Sequence, residues 1–382
     1  MIRFLTAGES HGPGLVTVVE GLPAGLAVSV ADFSAELARR RLGYGRGPRM
    51  RLELDELEIL GGIRFGATLG SPVAVLIRNT EWPRWREEMA ADAGTTAKPM
   101  TAPRPGHADL AGMIKYGTHD ARDILERASA RETAARTIAG TLAKLLLAAA
   151  GVRIVSHVVR IGAVEASEAR PAPGDLDAID ASPVRCFDPV AATAMGEAIA
   201  AAKADRNTLG GVVEVLAFGV PIGIGSHVHW DRKLDGLLAG ALMSIPGIKG
   251  VEIGDGFASA ARPGSEAHDE IYREGAAFVR ATNRAGGTEG GISSGGTIRA
   301  RAAMKPISTV MRPLDTVDVV TKEPEKAFRE RSDVCAVPAA GVVAEHMTAV
   351  VLASEMQRTF GGDTVDGFVA AVDAHRERVR EF

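Results

Sequence analysis

The 382-residue chain contains only two cysteines, Cys186 and Cys335, and 4% aromatic residues. Two isolated cysteines make neither a disulfide framework nor a CxxC metal site, so a reducing compartment is the expected setting. The shortage of aromatics argues against a stacking platform for single-stranded nucleic acid. Excess charge of one sign is also missing. A formal net charge of −4 creates no global field that would draw nucleic acid or an acidic membrane. No GxxxxGK[ST] is present, which disfavours a P-loop NTPase, and no GxGxxG follows a strand, which disfavours a Rossmann dinucleotide site. HExxH is absent. His227 and His229 alternate as on one strand face but lack a third ligand nearby, so no metal is expected. Long hydrophobic runs are lacking too. The opening MIRFLTAGESHG has no apolar stretch of signal-peptide length. The run from Leu142 to Val152 is interrupted by Lys144 and is too short to span a bilayer. No membrane association and a cytoplasmic location are the expectation.

What the chain has in excess is glycine, 44 residues, well above the usual ~7%. Such a chain has many places where backbone turns tightly or approaches something closely. Its length exceeds the size at which one core usually stops growing, so two domains or one large duplicated unit is expected. The β-branched runs 14–20 and 73–78 predict strands, as do 152–162 and 211–220. Residues 31–42 predict a helix capped by Ser29. The clearest helix is 129–149, where Ala135, Ile138, Leu142 and Leu145 or Leu146 recur at helical spacing. Further helices are expected near 231–244 and over 338–359. Residues 92–106 and 165–185 read as surface loops. The glycine-dense 286–296 reads either as a flexible linker or as ordered backbone leading into a strand. Strands and helices alternate without the regularity of a βαβ array, which points to a layered α+β fold. Residues 18–26 and 213–224 each run from a strand into a Gly-Leu-Pro or Gly-Val-Pro turn. They are either a trace of duplication or two unrelated strands with similar ends.

Six constellations could carry chemistry. Gly8 to Gly14 sets a Ser10-His11 pair between glycines after an apolar strand, where a histidine can exchange protons near neutral pH. Arg39, Arg40, Arg41, Arg46, Arg49 and Arg51 cluster around Gly43, Gly45 and Gly47. Arginine favours bidentate contacts with carboxylate or phosphate, so the cluster suits a small polyanion better than a nucleic acid, given the negative net charge. Arg104-Pro105-Gly106-His107 precedes a helix whose dipole disfavours a charged ring at that end. Glu126 to Glu132 opens the long alanine helix, where free N–H groups bind anions, with Ser129 and Glu132 expected as a capping box. Lys305 to Thr309 and Arg331-Ser332-Asp333 each place cations and hydroxyls in a short loop.

Together these motifs resemble the chorismate synthase family. GESHGPG at 8–14, RRRLGYGRG at 39–47, RPGHADLAGMIKYG at 104–117, ERASARETAAR at 126–136, NRAGGTEGGISSG at 283–295, MKPISTV at 304–310 and ERSDVCAVPAA at 330–340 stand in family order and span about residues 3 to 360.

The resemblance implies a layered β-α-β sandwich, with helices between two antiparallel sheets. It implies one domain over 1–382, internally duplicated with halves near 1–200 and 201–382, and a homotetramer. The implied reaction is a 1,4-anti elimination of phosphate from 5-enolpyruvylshikimate 3-phosphate, dependent on reduced FMN without net redox change. Reduced flavin would come from an external flavin reductase, with NADPH as an indirect reductant. Residue by residue, the resemblance assigns His11 to the reduced flavin, His107 to the departing phosphate and Asp333 to proton removal. It assigns Ser10, Arg40, Arg46, Arg49 and Arg131 to substrate, Arg40 and Arg46 also being positions associated with NADP. The cofactor set it implies is Arg127, Ala128, Ser129, Pro246, Gly247, Gly290, Gly291, Lys305, Pro306, Ile307, Ser308, Thr309 and Arg331. The chain departs from the family pattern at Arg206-Asn207, where Gly-Asp is usual, and at Ser244-Ile245-Pro246-Gly247. The competing readings are a flavoprotein oxidoreductase consuming NAD(P)H and a non-catalytic polyanion-binding relative.

Overall fold

The computed structural model describes residues 1–47, 55–275, 277–330 and 332–382; Arg49, Arg51 and Arg331 lie outside them. Strands β1 (Arg3–Gly8), β2 (Gly14–Glu20), β3 (Glu56–Gly61) and β4 (Val73–Arg78) form an antiparallel sheet of order β1-β2-β4-β3. Strands β5 (Arg153–Ile161), β6 (Gly211–Phe218), β7 (Ile248–Ile253) and β8 (Ile298–Met304) form a second one of order β5-β6-β8-β7, with Val164–Glu165 added at the β5 edge. Helix α1 (Val30–Arg40) follows β2. After β4 come α2 (Asp109–Tyr116), α3 (Arg122–Ala128) and α4 (Thr133–Ala149). In the second half, α5 (Pro189–Ala204) precedes β6, α6 (Leu234–Met243) follows it, and α7 (Val337–Phe360) and α8 (Val365–Glu381) close the chain.

The long helices α4 and α7 lie against each other between the sheets, flanked by α1 and α6. This is the expected α+β sandwich. Both sheets share one strand order; in each half a helix (α1, α6) stands between the second and third strands and a long helix (α4, α7) follows the fourth, with α5 added between β5 and β6 in the second. The second series starts at Arg153.

Sequence pattern explains the central layer. Ile138, Leu142 and Leu146 of α4 are fully buried, each contributing about 1.5–3 kcal/mol. Most of its remaining residues are alanine, threonine or glycine, so α7 approaches closely. A methyl group on Gly140 would lie 2.2 Å from Cβ of His346. Helix α7 is long and apolar enough to cross a membrane, but 89% of its most apolar window is buried within the fold, as expected for a core helix. Ser29 caps α1 in a capping box with Asp32.

Other expectations need correction. Ser129 accepts from the Arg131 N–H, but Glu132 turns to Thr6 and Arg136 instead of closing a box, because a 3-10 turn over 130–132 separates Ser129 from α4. The segment 165–185 holds a short helix, Leu176–Ala181, and ends on the fully buried Arg185; a charged side chain reaching into the core ties that loop down. Residues 286–296 are ordered as a hairpin pairing Thr288–Glu289 with Ile292–Ser293. His227 and His229 lie in a bend and not on a strand.

A buried ion network joins the layers. Glu345 of α7, fully buried, accepts from Arg39 at 2.8 and 2.9 Å, Arg185 at 3.1 Å, Lys144 at 3.2 Å and the Ser156 N–H and hydroxyl at 3.0 and 2.8 Å. Glu36 bridges Arg39, Lys144 and His346, and Asp180 bridges Arg39 and Arg185. Burial opposes the charge on Glu345, yet Arg39, Lys144 and Arg185 hold its carboxyl well below the usual range. Burial likewise opposes the charge on Glu36, which His346, Lys144 and Arg39 lower.

Glu345→Ala leaves three cations facing only Glu36 and Asp180, and unfolding in urea should show a loss of about 3–5 kcal/mol. Because both folded-state values are depressed, their contribution is complete above the ordinary 4.5 and is lost as pH falls below it. Urea midpoints should therefore decline from about pH 4.5 downward in the parent and more weakly in Glu345→Ala.

Helix α5 ends with Asn207 N–H bonded to the Ala202 carbonyl and Arg206 N–H to that of Lys203, the pattern that places a left-handed residue after the helix. Arg206 occupies that position at φ +55°. Arg206→Gly should stabilise by about 1 kcal/mol, read as a raised urea midpoint; a lowered midpoint would contradict the strain.

Candidate active site

Loops from both halves converge on a cavity of about 410 Å³ at one end of the sandwich. Gly8, at φ +99°, ends β1 so close to β2 that a Cβ would lie 2.1 Å from the Gly14 carbonyl. The tight connection that follows projects Ser10 and His11 into the cavity. Arg40 and Arg46 come from the end of α1 and its following loop, Arg104 to His107 from the turn before α2, and Ala128 to Arg131 from the break between α3 and α4. Pro246 and Gly247 arrive from the α6–β7 turn, Lys305 to Thr309 from the end of β8, and Ser332 and Asp333 from the approach to α7. Ala336, Ala339, Ala340 and Val343 form an apolar wall.

Both histidines rest on buried carboxylates. His11 Nδ1 lies 2.9 Å from each Glu126 carboxylate oxygen, and its backbone N–H donates to Glu126 Oε2 at 2.9 Å. Burial raises Glu126, but the His11 ring and N–H and the Arg122 guanidinium outweigh it and hold its carboxyl below the usual range. His107 Nδ1 bonds Asp109, which is fully buried and also accepts from Arg104 Nε at 2.8 Å. Asp109 is lowered to about 2 because the bonds from His107 and Arg104 exceed the cost of burial. A carboxylate therefore faces His107 where sequence reasoning saw only a helix dipole.

The cavity cations are tied as well. Arg131 bonds Asp55 at 2.5 Å and Asn79 at 3.1 and 3.2 Å. Arg46 lies 3.3 Å from Asp333, whose carboxylate accepts the Gly47 N–H at 2.6 Å. Arg104 donates to Thr309 at 2.9 Å, Arg40 faces Thr133 Oγ1 at 3.4 Å, and Lys305 donates to the Gly106 carbonyl at 2.7 Å. Burial, with Lys249 nearby, lowers Lys305. Thr208, next to the Arg206-Asn207 departure, donates to the Ile307 carbonyl at 2.9 Å and ties this turn to the Lys305–Thr309 loop.

Some expected residues lie apart. Arg127 spans the end of β1, donating to the Gly8 and Thr6 carbonyls at 3.1 and 3.0 Å. Gly290 and Gly291 turn the 288–293 hairpin, where Gly291 packs against Gly225 and Lys233; neither lines the cavity. Arg49 and Arg331 fall outside the described residues. Sequence reasoning gave no role to Glu126, Asp109, Arg104 or Trp85. The signal for the first three was their place inside the motifs that carry His11's neighbours and His107; Trp85 had none.

Among the described lining residues, Arg40, Arg46, Arg104, Arg131 and Lys305 outnumber Glu330 and Asp333. A surplus of cations around two carboxylate-backed histidines defines an acid–base enzyme for a small polyanion. Comparison with known proteins sharpens this. The chorismate synthase family profile matches residues 2–357. Proteins named chorismate synthase from Acidothermus cellulolyticus and Salinispora tropica are 62% and 60% identical over 375 residues, covering 96% of each chain. A crystal structure of a chorismate synthase superposes with a TM-score of 0.81 at 41% identity, covering 100% of this chain and 99% of that one. The chain belongs to the chorismate synthase family. Its activity is that of a carbon–oxygen lyase, eliminating phosphate from 5-enolpyruvylshikimate 3-phosphate to give chorismate.

Arg131→Ala removes a charge-assisted partner worth about 1.5–3 kcal/mol and should raise KM about tenfold or more. It also leaves the buried Asp55 without this cation, so the urea midpoint should fall. A normal KM with reduced kcat would contradict the anion-holding role.

Proposed function

We propose that the cavity binds 5-enolpyruvylshikimate 3-phosphate against reduced FMN and carries out the 1,4-anti elimination there. The observation that carries this reading is the meeting of a cation surplus, two histidines and an apolar wall in one cavity. The donor set fits a flavin mononucleotide. Ala128, Ala130, Ala336, Ala339 and Ala340 leave room for a planar ring, and Lys305 with the hydroxyls of Ser129, Ser308 and Thr309 suits its phosphate and polar edge. Pro246, Gly247, Pro306 and Ile307 complete that surface, and Gly290, Gly291, Arg127 and Arg331 belong to the assigned cofactor set by family resemblance. Bound reduced flavin supplies transient electron density that helps an allylic phosphate depart, and it is not consumed.

The chain's own groups do the rest. Arg40, Arg46 and Arg131, with Arg49 and Ser10, hold the phosphate and the two carboxylates. Preorganised cations of this kind stabilise charge where it develops on the leaving group. His107 meets the departing phosphate and can donate a proton to it. Asp333 assists removal of the substrate proton as the C–O bond breaks. One proton and one phosphate leave together, so no net redox change results. With Nδ1 engaged by Glu126, Nε2 is the nitrogen through which His11 would exchange protons.

Reduced flavin comes from an external flavin reductase, with NADPH as the indirect reductant; Arg40 and Arg46 would meet the nicotinamide nucleotide only in a member that reduces its own flavin. Homotetramer assembly, a cytoplasmic setting and descent from a duplicated half complete the reading.

The test is an anaerobic assay with the substrate and photoreduced FMN. Chorismate and phosphate should appear in equal amounts without NADPH and without net flavin oxidation. Product formed only with NADPH would indicate a built-in reductase, and no product despite substrate binding would leave a polyanion-binding relative.

A further inference from the structure

Three residues that do not line the cavity enclose His11 from behind. The Glu126 carboxylate meets the ring at its Nδ1 edge with both oxygens at 2.9 Å. The indole of Trp85 lies over the ring face, with centroids 4.2 Å apart and planes inclined by 32°. Arg122 joins the two, donating to Glu126 Oε1 at 2.7 Å while its guanidinium sits 4.9 Å above the Trp85 ring. His11, Glu126, Arg122 and Trp85 thus form a closed loop of contacts. Its outer edge is held by Glu88 at 3.7 Å and Glu330 at 4.0 Å from Arg122. Glu126 also anchors the backbone on both sides of the ring, because its carbonyl accepts the Ser10 N–H at 3.0 Å and its carboxylate accepts the His11 N–H at 2.9 Å.

We propose that Glu126, Arg122 and Trp85 are positioning residues that fix the His11 ring in one orientation and one tautomer, with Nδ1–H donating to Glu126 and Nε2 presented to the cavity. Each side of the clamp removes a different freedom. The carboxylate selects which nitrogen carries the proton, since an acceptor at Nδ1 stabilises the Nδ1–H form. The indole prevents ring rotation about χ2, a soft torsion in histidine. Arg122 neutralises Glu126 and so keeps the carboxylate charged without leaving it unpaired when buried. Each residue acts through His11 and touches no reacting atom. The inference rests on the reading of His11 as a proton-exchanging group.

A double-mutant cycle tests it. Glu126→Gln keeps the shape and the backbone anchor, and should lower kcat on the order of 10²-fold, the scale of one general acid–base contribution, with KM changed less than threefold. In a His11→Ala background the same substitution should change kcat less than twofold, because its route of action is gone. A purely structural role would give equal losses in both backgrounds and overturn the proposal. Nitrogen-15 histidine spectra of the ligand-free protein give a second reading. The resonances lost in His11→Ala should report one Nδ1–H tautomer in the parent and a mixture of tautomers in Glu126→Gln and Trp85→Leu. A mixture already present in the parent would overturn the clamp even if a variant folds poorly. If His11→Ala itself turns over normally, the assignment of His11 fails, and that outcome is distinct from a failure of the clamp.

Discussion

The fold depends on one buried carboxylate. Glu345 lies on the central helix α7 with no exposed surface, and an ion of its size carries a penalty of several kcal/mol when taken from water. The structure meets that cost by bringing cations from three neighbouring segments: Arg39 from α1, Lys144 from α4 and Arg185 from the loop beside β5. With Glu36 and Asp180 the network holds three acids and three bases, so it is neutral when His346 is uncharged. Hydrophobic packing alone would let alanine-rich helices slide along one another, since alanine offers little shape to lock. Directional bonds from one carboxylate to three elements fix the register that α4 and α7 leave loose.

That register sets the cavity. Ala339, Ala340 and Val343, which wall the site, stand within two turns of Glu345 on the same rigid helix. Arg40 stands at the end of α1, which Glu345 grips through Arg39, and the lining loops are tied to one another: Val334 N–H bonds the Gly45 carbonyl, and Lys305 N–H bonds that of Gly247. A rigid layered body with its chemistry on converging loops is a common division of labour. Here the loops are further stiffened by pairing with each other.

Much of this was legible in the sequence, and what was missed has a common cause. Strands 14–20 and 73–78, the capped helix after Ser29 and the three long helices follow from periodicity and cap chemistry, which are local. The motif order led to the family, and motif residues such as Ser10, His11, His107, Lys305 and Asp333 do meet in one cavity. The misses are contacts across sequence distance. Nothing near Trp85 indicates that it covers His11, and the partner of Arg131, Asp55, lies 76 residues away. The buried Arg185 read as part of a surface loop because its compensation comes from Glu345, 160 residues on. The capping box failed for a different reason: a 3-10 turn intervened where composition cannot distinguish it from the first turn of a helix.

A cavity for a polyanion must be positive and rigid at once, and these demands conflict. A lysine or arginine that is merely nearby has about 2 kcal/mol of rotamer entropy to lose when it grips a ligand, while an opposed carboxylate that removes this freedom also cancels charge. The chain eases the conflict by placing two carboxylate anchors behind the lining. Asp55 and Asp109 are buried and hold Arg131 and Arg104 from the rear, and the two acids at the cavity surface are outnumbered by five cations among the described residues. At protein-like dielectric, a cation and an anion 4 Å apart still attract by about 4 kcal/mol, so a ligand carrying three acidic groups gains from the surplus even after the rear pairs have taken their share. The histidines follow the same rule. Each has a buried carboxylate behind it, at its Nδ1 edge.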